Sequence, residues 1–277
     1  MAVRVLQLCQ SDDFDLAEIA KIISHDPALA TKALKLVNSP AFGLGQPVRT
    51  VSHAVSLLGA NAVRTLALSF SLAGGLVAGR ASSLDGYWKR SVLSAVAARE
   101  LLPSAVSAER EEAFLAGLLQ DVGILALYRA LGAEYESVLR SAGEDHDGLV
   151  ELERLQLGAD HGAIGSWLLA RWSVPERLCR IVEHSHRDAE RAGPLGEDVG
   201  RLRLAVALSG EVADIWLAQD ATLATRRARS RARALLPGGD EALDAAVARV
   251  LAVVPQYADL FEVDLDSEAM RAVLDQA

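Results

Sequence analysis

Apolar positions recur at helical spacing along nearly the whole chain, and strand-like alternation is absent from the sequence. Leu16, Ile19, Ala20 and Ile23 fall on one helical face behind Asp15, whose carboxylate is placed to cap the helix start. Asp26-Pro27 reads as a second start, with the acid at the cap and proline in the first turn. Asn38-Ser39-Pro40 then stops that helix. Beyond a glycine-rich loop at 41–49, Thr50 or Ser52 opens a short helix that Gly59 closes, and a longer one follows over 60–76. Ser83 and Asp85 begin a helix whose apolar positions include Trp88, Val92, Val96 and Leu101, and Ser107 is placed to cap the next. The stretch from Phe114 to Leu125 reads as a buried helix with one polar pair, Gln120-Asp121, among apolar residues. Further helices run over 163–170, around Leu178 and Ile181, and over 202–217, with a surface loop expected at 187–201. Pro237-Gly238-Gly239 breaks the chain before two last amphipathic helices. The pattern predicts an all-α, two-lobed multi-helix bundle. Leu16, Ile23, Val37, Val55 and Leu58 should pack the first lobe; Leu118, Leu119, Ile124, Trp167, Trp172 and Ile181 should pack the second.

Composition agrees with a helical reading. The 277 residues are 51% hydrophobic and only 5% aromatic, which suffices to bury a sizeable core. The net charge of −9 argues against nucleic acid as a partner. Only the segment from Arg226 to Arg233 is strongly basic, and it reads as a solvated or salt-bridged helix face. Cys9 and Cys179 sit in apolar helical patterns and read as buried free thiols of a reducing compartment. The most apolar stretch, 66–78, is too short and too polar to span a bilayer, and no signal sequence opens the chain. The expectation is a soluble, cytoplasmic protein without a membrane partner.

Candidate chemistry centres on Asp121. An unpaired charge in so apolar a stretch would cost several kcal/mol, so a partner is required. A hydrolytic metal site on helices needs imidazoles and carboxylates from several segments, because the ion must be held firmly enough to acidify a bound water. His25-Asp26 is a literal His-Asp pair, but Pro27 makes it a helix cap rather than a ligand pair.

The order of motifs resembles the HDOD family, the regulatory branch of the HD phosphohydrolase superfamily. The matching residues run from Ile23-Ser24-His25-Asp26-Pro27 through Leu36-Val37-Asn38-Ser39-Pro40 and Trp88-Lys89-Arg90-Ser91. They continue through Gly117-Leu118-Leu119-Gln120-Asp121-Val122-Gly123, Asp160-His161, Trp172-Ser173-Val174-Pro175 and Glu183-His184. The resemblance implies an HD-like helical core. It places an HDOD domain at 1–210, with a helical lobe at about 1–79, an HD-like bundle at about 83–210, and a helical extension at 211–277.

It also implies that the metal site is vestigial. The superfamily's first histidine falls near Ser91, the histidine of the His-Asp doublet is Gln120, a double histidine becomes His184-Ser185, and the late aspartate falls near Ser209. Gln120 is a poor ligand for transition metals. The resulting expectation is a non-enzymatic signalling module with no cofactor, acting through protein contacts. Expected partners are receiver, diguanylate cyclase or phosphodiesterase domains, fused or separate. The alternative is a residual single-metal or cyclic-dinucleotide site at Asp121, His161 and His184.

Overall fold

The computed structural model describes residues 16–24, 27–38, 46–58, 85–143, 145–172, 174–186, 197–261 and 263–276. In chain order the helices are α1 (Leu16–Ser24), α2 (Pro27–Val37), α3 (Asp85–Glu100), α4 (Ser107–Leu119), α5 (Val122–Leu131), α6 (Ala133–Ala142) and α7 (His146–Leu157). They continue as α8 (His161–Arg171), α9 (Glu176–His184), α10 (Glu197–Leu217), α11 (Ala221–Leu235), α12 (Gly239–Phe261) and α13 (Ser267–Gln276). A further helical run lies at residues 51–58. Among the described residues there is no strand, and the fold is all-α.

Every residue from Arg90 to Glu100 is buried, so α3 is a central post rather than a surface helix. Its sides are covered by α4, α10 and α12. One apolar cluster runs from Ile23, Val37 and Val55 through Val92, Val96, Leu118 and Leu208 to Val250 and Met270. The helices beyond residue 210 therefore share that core, and α10 itself runs through 210. A second, smaller cluster joins Ile124, Leu125, Tyr135, Val138 and Leu149 beneath α6 and α7.

Two glycines set how closely the helices around the centre approach. A Cβ on Gly117 would stand 2.7 Å from the Ser94 carbonyl oxygen of α3, and one on Gly123 only 1.9 Å from that of His161. Backbone thus meets backbone at both crossings, and the second seats the start of α8 against the start of α5.

Several expectations need correction. The stretch from Phe114 to Leu125 is two helices meeting at Gln120-Asp121, because Asp121 (φ −103°, ψ 12°) leaves the helical region. That break also interrupts Glu109–Leu131, the one stretch among the described residues apolar and long enough to cross a membrane, which is 67% buried in the fold. Trp167 is not core: it is 58% exposed, with the Arg171 guanidinium 4.6 Å over its ring. Ser107 is the first residue of α4 rather than its cap; Val106 precedes the helix in an extended conformation. α10 begins at Glu197, inside the segment expected to be loop. Ile23, Val37, Val55, Leu58, Leu118, Leu119, Ile124 and Ile181 are buried as expected. Cys179 is a buried free thiol, while Cys9, Asp15, the His25-Asp26 pair and Ser83 lie outside the described residues. Arg227, Arg229, Arg231 and Arg233 of the basic segment are all engaged by carboxylates, Arg233 on Asp240 at 2.6 Å among them.

Gly123→Ala tests the close crossing. Alanine is favoured over glycine in a helix by about 1 kcal/mol, but here the clash is with rigid backbone, so the substitution should lower stability by about 2–3 kcal/mol. Gly86, near the start of α3, has nothing within 4 Å of its hypothetical Cβ. Gly86→Ala should leave stability unchanged or raise it by up to about 1 kcal/mol, with both variants compared by urea titration.

Candidate metal centre

Asp121 and the three imidazoles around it all come from helix ends or just beyond one. Asp121 sits at the α4–α5 break with its side chain fully buried. His161 is the first residue of α8, whose start is fixed by Asp160: one carboxylate oxygen accepts the Ala163 N–H at 2.8 Å and the other takes Arg154 at 2.6 Å. His146 is the first residue of α7, just after the turn at Gly143 (φ 63°). His186 lies two residues beyond the end of α9. Helix ends suit this purpose because a ring there can turn across the helix axis and meet rings from other segments.

The three imidazoles surround a single oxygen. Asp121 Oδ1 lies 2.9 Å from His186 Nε2, 3.4 Å from His161 Nε2 and 3.5 Å from His146 Nε2. The ring centroids are 4.5–4.9 Å apart, and all four ligand atoms lie within 4.8 Å of one another. A tetrahedron with metal–ligand bonds of about 2.1 Å has edges of about 3.4 Å, which the contacts to Oδ1 approach closely. None of the four atoms forms an aligned hydrogen bond, although all are buried. Lone pairs that converge on one point without pairing are what a cation requires, so the residues fit a single divalent transition metal.

Glu153 orients the set from behind. Its carboxylate, itself fully buried, lies 2.7 Å from His161 Nδ1, accepts the His161 backbone N–H at 2.7 Å, and accepts the Tyr135 hydroxyl. With Nδ1 held by a carboxylate, Nε2 is left to face Asp121, the arrangement that fixes ring orientation at metal-binding histidines. Burial opposes ionisation of Asp121, yet His146, the close His161 and His186 rings, and the Arg90 guanidinium hold its carboxyl well below the usual range. Burial also works against a charged His161, but Asp121 and Glu153 outweigh it and raise that imidazole to about 9. Burial holds His146 and His186 below their ordinary range, with Arg90 adding to the effect at His146 and His161 at His186.

A 360 Å³ cleft leads from the surface to His146, lined also by Asp145, Asp147, Glu211, Asp214 and Asp220. Burial raises the Glu211 and Asp214 carboxyls, and neighbouring Asp147 pushes both the same way.

The HDOD domain profile matches residues 1–188. The chain belongs to the HDOD family. A Geobacter sulfurreducens HDOD domain protein of unknown function superposes with a TM-score of 0.62 at 23% identity, covering 96% of this chain and 92% of that one. A Shewanella amazonensis SB2B protein with a provisional phosphohydrolase name has a TM-score of 0.67 at 21% identity, covering 94% and 91%. The MmoQ response regulator of Methylococcus capsulatus is 35% identical over 89% of this chain and 95% of its own, with a TM-score of 0.47. An uncharacterized Treponema pallidum protein is 24% identical over 185 residues; the match spans 66% of this chain and 36% of that relative's length.

Within this HDOD chain, the residues singled out from sequence divide cleanly. Asp121 and His161 stand at the centre. His184 ends α9 and lies outside the group; its carbonyl accepts from Arg203, and His186 supplies the ring instead. The Ser185 and Ser209 hydroxyls turn back on their own segments, to the Val182 and Val206 carbonyls, and Ser91 is buried on α3. Gln120 is buried, and its amide has no hydrogen-bond partner among the described residues. Sequence reading missed His146, His186, Glu153 and Arg90. His186 had a signal, since it stands two residues from His184; His146 lies in a charged stretch that reads as solvated surface.

Asp160→Ala should cost about 1–2 kcal/mol, the worth of a helix cap, and should loosen His161 with it. Asp160→Asn keeps an acceptor for the Ala163 N–H and should cost less than about 1 kcal/mol in urea unfolding. Equal losses for the two variants would show that the cap is not what holds the start of α8.

Proposed function

We propose that this chain is a non-enzymatic signal-transduction module whose core is stapled by one divalent transition metal at Asp121, His146, His161 and His186. The observation that carries this reading is the convergence of four buried ligand atoms that satisfy no hydrogen bond of their own. Three imidazoles and one carboxylate close a tetrahedron, and a closed set is the mark of a structural rather than a hydrolytic ion, which keeps a position open for water. Bound there, the metal would supply cross-linking charge. Asp121 anchors the α4–α5 break, His146 and His161 the starts of α7 and α8, and His186 the segment after α9.

Membership of the HDOD family supports regulation by protein contact, and receiver, diguanylate cyclase or phosphodiesterase domains are the partner class this reading favours. A cyclic dinucleotide is disfavoured at the centre, because its phosphates would enter a cleft lined by five carboxylates and a single arginine, Arg227.

The test is metal content by mass spectrometry after incubation with manganese, iron or zinc, paired with thermal unfolding. One equivalent should be retained by the unaltered protein. Metal at a hundredfold excess over its dissociation constant should add about 2.7 kcal/mol of stability. His186→Ala and His146→Ala should each lose both the metal and the added stability, whereas His184→Ala should keep them. No retained metal in any condition would remove the staple, and turnover of a phosphodiester by the loaded protein would remove its non-enzymatic status.

A further inference from the structure

The two oxygens of Asp121 serve different cations. Oδ1 faces the three imidazoles. Oδ2 accepts Arg90 Nε at 3.1 Å, and Arg90 reaches on through Nη1 to Asp214 Oδ1 on α10. The guanidinium is thus bracketed by two carboxylates in the core, with its side chain only 11% exposed. A carboxylate whose second oxygen meets another carboxylate's cation is the arrangement that lets a bridging aspartate hold two metal ions side by side. Here the second place is filled by the protein itself.

We infer that Arg90 is a resident cation that limits this centre to one metal ion, occupying the position on Asp121 Oδ2 where a second ion would otherwise bind. The inference rests on the one-metal reading above and adds what sets its stoichiometry. Charge agrees with it: one divalent ion together with Arg90 matches the three carboxylates Asp121, Glu153 and Asp214. A second divalent ion beside the guanidinium would meet strong repulsion in a buried site. The fold also makes room for Arg90. A Cβ on Gly210 of α10 would lie 2.6 Å from Arg90 Nη2, so glycine there lets the guanidinium approach the helix closely. The same hypothetical Cβ would lie 3.9 Å from the amide of Gln120, whose oxygen and nitrogen are both buried without a hydrogen bond. Removing the guanidinium would therefore leave Asp121 Oδ2 and Asp214 facing a common space, a pair of hard carboxylate groups suited to manganese or magnesium.

The test compares metal equivalents and manganese electron paramagnetic resonance for the unaltered protein, Arg90→Lys, Arg90→Gln and Arg90→His, with far-ultraviolet circular dichroism reporting helicity. The unaltered protein and Arg90→Lys should hold one equivalent and give the spectrum of an isolated ion. Arg90→His, which adds an imidazole beside the two carboxylates, should rise to two equivalents with the spectrum of a coupled pair. Arg90→Gln retains a hydrogen-bond donor for Asp121 without charge and serves if Arg90→His fails to fold; it too should take up a second ion. If the unaltered protein holds one equivalent and the neutral variants, helical as judged by dichroism, also hold one, the role of Arg90 is overturned while the centre stands. If the unaltered protein and every variant hold none, the centre itself is overturned.

Discussion

A carboxylate with no exposure to water has to be compensated where it stands, and Asp121 imposes that demand on the elements around it. Transferring an isolated carboxylate into a protein interior is costly enough that the group would neutralise instead. Here it remains charged, because three imidazoles approach one oxygen and a guanidinium the other. Each compensating group comes from a different helix or helix end, so the position of one side chain constrains α3, α7, α8 and the segment after α9 together. Further buried charges follow in turn. Glu153 is retained behind His161, Tyr135 donates to Glu153, and Asp214 takes the far side of Arg90.

Small residues make the compensation geometrically possible. Without the backbone contact at Gly123 the start of α8 could not come close enough to place His161 beside Asp121, and glycine at 210 leaves the Arg90 guanidinium room beside α10. The centre is therefore a property of the packing as much as of its charged residues. A scaffold of this kind can retain its arrangement when individual ligands change, since the helix crossings that position them are set by glycine.

What could be read from the sequence follows the range of the interactions. The helices, most of their apolar faces and the meeting of Asp121 with His161 were legible because each rests on local spacing or on a motif. The break at Gln120-Asp121 was not, because apolar periodicity continues across it; only the close approach of α8 at Gly123 shows why the chain must turn there. Trp167 was misplaced for the converse reason, since a large apolar residue on a helix reads as core whether or not a neighbouring element covers it. His146 escaped notice as a site residue because its charged neighbours read as solvated surface, and Arg90 because an arginine in a helix reads as a surface group; only tertiary packing turns them inward. Choosing His184 over His186 was an error of register: beyond the end of α9 the helical period no longer says which side chain points where.

The neutral and the charged residues of the site play different physical parts. Gln120 and the serines at 91, 185 and 209 are neutral, and none can replace the charge or basicity of an imidazole or carboxylate at a metal. Without Arg90, Asp121 and Asp214 would face each other in the core with like charge and no cation between them. Arg90 supplies that cation permanently, at a pKa that keeps it protonated at any physiological pH. A metal can leave with chelation or acid, whereas a guanidinium cannot. On the one-metal reading, the guanidinium is a fixed strut in a place where a second metal would be an exchangeable one.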